Sequence, residues 1–245
     1  MKRFTLILLT VLMAVACRKV TPEQRIAKIS KYFDKTENTY LEDLQRFDPA
    51  KRVDYLTLTL AKELGAADLW TLEQAGESSL VAAFPGRDKK QMRFSVLSAS
   101  LDDPQACAVA LSTLKAFKDM KLKPNGSIHA LFYSTAKDTA GVSGLGAVFQ
   151  EIRDSEEQVT FELELSSRDT VDHHTFVIED KGFFVEKILE VVPPYMNQLG
   201  TFQFKQGRYP NRNWPVKAPV YRYSIDPTDL RKEAAAITTF SLLLN

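Results

Sequence analysis

The chain has 245 residues, 44% of them hydrophobic and 26% charged, with 32 Lys and Arg against 31 Asp and Glu. This is globular composition, which excludes a disordered, collagen-like or coiled-coil chain; the formal charge of +1 gives no electrostatic footprint for nucleic acid. Two cysteines exclude a disulfide framework and a cysteine-rich zinc module, and three histidines leave few choices for a histidine metal site.

The N-terminus reads as an address. Lys2 and Arg3 precede an almost wholly apolar run over residues 4–16. That run is shorter than the roughly 20 residues a spanning helix needs, so it predicts a secretory signal rather than a membrane span. It ends in Ala14-Val15-Ala16-Cys17, which resembles the bacterial lipobox. The resemblance implies a signal peptide over 1–16 and a diacylated Cys17 as the first mature residue. Multiple acyl chains anchor stably where one is marginal. The partner expected from this segment is therefore a membrane, and the location expected is the cell envelope, facing the periplasm.

From there the elements alternate. Thr21-Pro22-Glu23-Gln24 carries a capping hydroxyl, a proline at the first helical position and a glutamine suited to a capping box, and predicts a helix over 22–33. Residues 17–47 are taken as a helical N-terminal extension of a single domain over 17–245. Asp48-Pro49 opens a second helix, with Val53, Leu56, Leu60 and Leu64 as its stripe and Gly65 as its stop. Strands are predicted over 69–73, 80–84 and 93–99. A helix follows over 104–120, and then a strand over 128–133 whose continuous apolar run suits burial on both faces. The glycine-rich 140–146 reads as a tight loop, 159–165 and 175–178 as strands, and 183–192 as a helix halted by Pro193-Pro194. Residues 201–219 read as a long loop, 220–224 as a short strand and 228–243 as a last helix. Strand–helix–strand order over 93–133 implies a parallel pair. The fold class is α/β: a three-layer αβα sandwich around a mostly parallel mixed sheet.

Several segments, taken in order, resemble the M28 family of zinc-dependent aminopeptidases. The likeness runs through the helix over 52–64, Ser79-Leu80-Val81-Ala82-Ala83-Phe84-Pro85-Gly86, and Phe94-Ser95-Val96-Leu97-Ser98-Ala99-Ser100-Leu101-Asp102-Asp103. It continues through the helix after Pro104, the strand over 128–134, Gly144-Leu145-Gly146, and Asp226-Pro227-Thr228-Asp229-Leu230 with the last helix. It implies a zinc-exopeptidase-like fold. In the family, two zinc ions activate a water that a glutamate deprotonates.

Carried over position by position, the resemblance places Ser100 where the first histidine ligand belongs. Asp102 stands for the aspartate of a His-x-Asp pair, and Asp103 for the bridging aspartate. The Glu-Glu pair falls near Lys137-Asp138, and a further aspartate ligand falls at Glu164. No histidine stands between residues 197 and 224. Both histidine ligands and the general base are therefore missing, so a degenerate member is expected, with no metal and no cofactor, acting in binding or scaffolding. A second reading is a divergent metallohydrolase that uses Asp102, Asp103, Asp138 and Glu164 as hard oxygen ligands for Mg, Ca or Mn. A third is a structural lipoprotein with a filled cleft.

The same residues have plainer roles. Asp103, just ahead of Pro104, suits a helix cap, and Asp138 and Glu164 read as surface or loop carboxylates. His173 and His174 are adjacent in a strand-like stretch, point to opposite faces and suit a solvated position. His129 reads as a core histidine and Cys107 as an inert buried thiol. Tyr209, Arg212 and Trp214 mix aromatic and cationic groups in the long loop and are the candidate binding residues for a peptide, glycan or protein.

Overall fold

The computed structural model describes residues 20–87, 93–137, 139, 141–153, 158–168, 173–179, 183–207 and 218–244. Helix α1 (Pro22–Phe33) opens with the capping box: Thr21 takes the Gln24 N–H, and the Gln24 side chain takes the Thr21 N–H. After α2 (Tyr40–Arg46), α3 (Pro49–Leu58) begins under the Asp48 cap, runs on as a π-helical turn over Thr59–Leu64, and stops at Gly65 with φ of 71°. A left-handed residue at this position is what glycine supplies without strain.

The strands are β1 (Asp68–Gln74), β2 (Glu77–Phe84), β3 (Arg93–Ser100), β4 (Ser127–Tyr133), β5 (Gln158–Ser166), β6 (Thr175–Glu179), β7 (Gln203–Gln206) and β8 (Val220–Ser224). They form one eight-stranded sheet in the order β1-β2-β4-β3-β5-β8-β6-β7. The central four, β4-β3-β5-β8, are parallel; β2 and β6 join them antiparallel on either side. The chain returns between β3 and β4 through α4 (Pro104–Asp119).

Strand alternation divides the core into two. Leu80, Ala82, Leu97, Ala99, Ala130, Phe132, Leu163, Leu165, Tyr221 and Tyr223 share one cluster with buried residues of α1, α2, α3, α4 and α7 (Leu230–Leu244). Val81, Phe94, Val96, Leu131 and Tyr133 face the other way, onto Leu145, Val148 and Phe149 of α5 (Gly144–Arg153). The three-layer α/β expectation is therefore met, and β4 is buried on both faces as its nearly continuous apolar run predicts; β3 is buried as well, its serines included.

Four local expectations are corrected. Residues 140–146 do not form one loop, because Gly144 starts α5. A Cβ there would overlap the Ser79 hydroxyl oxygen, so the glycine serves close packing of helix on strand. Helix α6 (Phe183–Met196) runs through Pro193 and Pro194. Each proline removes a helical hydrogen bond, but Val192 and Met196 on either side are buried, and the Asn197 N–H still reaches the Pro193 carbonyl at 2.9 Å. The stretch taken as a long loop contains the edge strand β7, held by Phe204 stacked on Phe176 at 5.0 Å. The last helix starts at Leu230 rather than 228, because the Asp226 carboxylate turns back to take the N–H and hydroxyl of Thr228.

Candidate functional site

Parallel strands end together, and α/β sheets place ligands at that edge. Here β3, β4, β5 and β8 finish at Ser100, Tyr133, Ser166 and Ser224. The edge is laced by main-chain bonds: Leu101 N–H to Tyr133 O at 2.8 Å, and Ile225 N–H to Ser166 O at 2.8 Å. Its side chains are chiefly hydroxyls. Ser134 donates to Glu77, and its N–H reaches the Ser79 hydroxyl at 3.1 Å.

Asp103 is the most heavily engaged carboxylate at the edge. It caps α4: Oδ1 accepts the Ala106 N–H at 3.0 Å. The same oxygen accepts the Ser167 hydroxyl at 2.7 Å, and Oδ2 accepts the Ser167 N–H at 2.7 Å. One buried carboxylate thus ties the start of α4 to the end of β5. Asp102, half-buried beside it, takes the Thr135 hydroxyl on Oδ2, and its carbonyl takes the Arg168 guanidinium at 2.9 Å.

Glu164 corrects the sequence expectation. It is neither on the surface nor in a loop: it lies inside β5, opposite Ser98 of β3 and Arg222 of β8, and is 5% exposed. Its neighbours Leu163 and Leu165 fill the helical core, so alternation turns Glu164 to the opposite face. There it accepts the Tyr133 hydroxyl at 2.9 Å, with Arg222 Nε 3.4 Å from its other oxygen. Asp138, Cys17, Tyr209, Arg212 and Trp214 lie outside the described residues.

A zinc pair needs deprotonated or lone-pair donors that are free to turn toward it. The described donors do not fit it. Both oxygens of Asp103 are engaged by protein N–H and O–H groups, Asp102 carries a hydroxyl, and Glu164 sits against a guanidinium. The position of the first histidine ligand holds the neutral hydroxyl of Ser100, which takes the Asp102 N–H at 3.2 Å. Among the described residues, no three His, Cys, Asp or Glu side chains converge as ligands.

The other singled-out residues find ordinary homes. His129 is buried, stacked on Phe94 at 3.9 Å between ring centroids, and burial pulls its pKa down to about 4, so it is a neutral core group. Cys107 is buried under the β3–α4 loop, 3.2 Å from the Ser100 carbonyl; burial, reinforced by Asp103, raises its thiol far above the ordinary range. His174 departs from the solvated reading. It is half-buried, with Nδ1 2.7 Å from Oε1 of a fully buried Glu233. Glu233 shows in the sequence only as the acidic residue on the stripe of Leu230, Ile237 and Phe240. Arg52, also missed, is a buried cation whose Nε donates to Leu44 O at 2.8 Å and whose Nη1 donates to Leu101 O.

Comparison with known proteins places the fold. No family model matches the sequence, and no curated protein matches it. Solved structures do. A Bacteroides vulgatus protein assigned as a zinc-dependent exopeptidase is similar at a TM-score of 0.56 and 14% identity, over 83% of this chain and 92% of that one. A glutaminyl cyclase of Tannerella forsythia gives 0.58 and 16%, over 84% and 96%. A peptidase M28 precursor of Shewanella amazonensis gives 0.51 and 15%, over 69% and 44%. The chain has an M28-like, zinc-exopeptidase-type fold.

Proposed function

We propose that this protein is a lipid-anchored envelope protein in which an exopeptidase-type scaffold serves binding or scaffolding rather than hydrolysis. Cys17 holds it to the membrane, facing the periplasm, and the partner is a peptide, glycan or protein met through the loop of Tyr209, Arg212 and Trp214. One observation carries the reading: Asp103, the stand-in for a bridging ligand, spends both oxygens on Ala106 and Ser167. Fold and function separate readily when site residues change. Purified protein supplied with zinc, magnesium or manganese should show no release of N-terminal residues from peptides and no cyclisation of N-terminal glutamine above the buffer blank. Turnover that disappears with Asp102→Ala would restore the divergent hydrolase built on Asp102, Asp103, Asp138 and Glu164.

A further inference from the structure

A second cluster of ionisable groups lies at the end of β8, on the helical face of the sheet. Glu233 projects from the first turn of α7 and has no solvent exposure. Its Oε1 is 2.7 Å from Nδ1 of His174, and the other ring nitrogen is 3.5 Å from Oδ2 of Asp226. The hydroxyl of the buried Tyr223 faces the Glu233 carboxyl from β8. Phe202 packs edge-on to the imidazole at 5.8 Å, and Lys232 Nζ lies 5.6 Å from the centroid of the same ring.

We infer that the His174–Glu233 pair is a protonation-controlled latch: the single proton that leaves the pair net neutral holds the first turn of α7 against the end of the sheet, and its loss loosens that turn. The inference is independent of the proposed function. A carboxyl and an imidazole 2.7 Å apart are matched when the pair carries one proton, whether as acid and neutral ring or as carboxylate and imidazolium, because either form is net neutral. Without that proton, a negative charge is left in a buried site, which is unfavourable.

The surrounding groups make the two directions unequal. Those facing the pair are His173 beside β6, Tyr223 on β8, Asp226 and Asp229 in the turn, and Lys232 on α7. A second proton would produce an imidazolium that Asp226 and Asp229 can balance. After loss of the pair's proton only Lys232 is cationic at the pH concerned, and it points over Phe202. Release is therefore on the alkaline side.

The proton balance fixes the pH window. Burial raises the Glu233 carboxyl from its ordinary 4.5 to about 8, so between these values the folded chain holds a proton that the unfolded chain has released. Stability from this group is full below 4.5 and is lost as pH rises toward 8. Burial, with Lys232, lowers His174 below the ordinary 6.5, so its contribution is lost as pH falls below that value. The two oppose each other on the acid side. From about 6.5 upward only the loss at Glu233 remains.

The experiment is amide hydrogen exchange of residues 230–236 in the purified protein at pH 6 and pH 9, corrected for intrinsic rates. Protection should fall by tenfold or more at pH 9, while β3 and β4 stay protected. The isosteric, uncharged Glu233→Gln should give the same protection at both pH values. Equal protection of the unsubstituted protein at both pH values would overturn the latch, as would a fall in Glu233→Gln as large as in the parent. A carbon-13 titration of glutamate-labelled parent protein covers the case in which the variant fails to fold. One carboxyl should titrate near 8; if all titrate in the ordinary carboxylate range, the latch is wrong.

Discussion

Asp103→Ala should destabilise the protein by about 3 kcal/mol, the sum of a lost helix cap near 1 kcal/mol and lost hydrogen bonds to an ionised acceptor. Three donors depend on this carboxylate: the N–H of Ala106 and the N–H and hydroxyl of Ser167. The Ala106 N–H would be stranded in a buried site, and the two donors of half-buried Ser167 would lose their partner at its margin. Asp103→Ser should recover the cap alone, returning about a third of the loss. Asp103→Asn keeps an acceptor for Ala106 but turns an amide N–H₂ toward the Ser167 N–H, and should fall between the two. Urea unfolding at constant m reads these differences. A loss under about 0.5 kcal/mol for Asp103→Ala, the range of neutral surface changes, would remove the structural role.

Arg52→Met should cost about 2–3 kcal/mol, and Arg52→Ala about 1 kcal/mol more for the lost packing of the stem. The guanidinium joins α3, from which it projects, to Leu44 of α2 and to Leu101 in the β3–α4 loop. Methionine fills the space of the stem but leaves both buried carbonyls without a donor. Arg52→Lys keeps the charge, yet one ammonium cannot reproduce the forked geometry, so it should recover only part. If Arg52→Met were neutral or stabilising, relief from burying a charge would outweigh the two lost bonds, and the loop carrying Asp102 and Asp103 would not depend on this tether.

Much of the scaffold was legible because its signals are local. Thr21 with Gln24, Asp48 before Pro49 and Asp103 before Pro104 each announce a helix start, and each does cap one. The apolar run over 128–133 announces a strand covered on both faces. The misses share a cause: the deciding contact is distant in sequence. Gly144 looks like a loop glycine until Ser79 is seen against it. Pro193 and Pro194 look like a stop until Val192 and Met196 are seen to join the core cluster of Phe202, Tyr223 and Phe240. Glu164 looks like a surface carboxylate until Tyr133 and Arg222 stand beside it. His174 and Glu233 meet only because β6 pairs with β8 and α7 folds back over that end.

On the proposed function, the edge of the sheet is built for structure rather than for metal. Zinc content and zinc affinity of the purified protein, by elemental analysis and titration calorimetry, test it most directly. The protein should carry no stoichiometric zinc as isolated and give no saturable heat on titration with zinc, magnesium, calcium or manganese. Tight, stoichiometric zinc that is lost in Asp102→Ala would contradict that reading and return the chain to the hydrolases it resembles in fold.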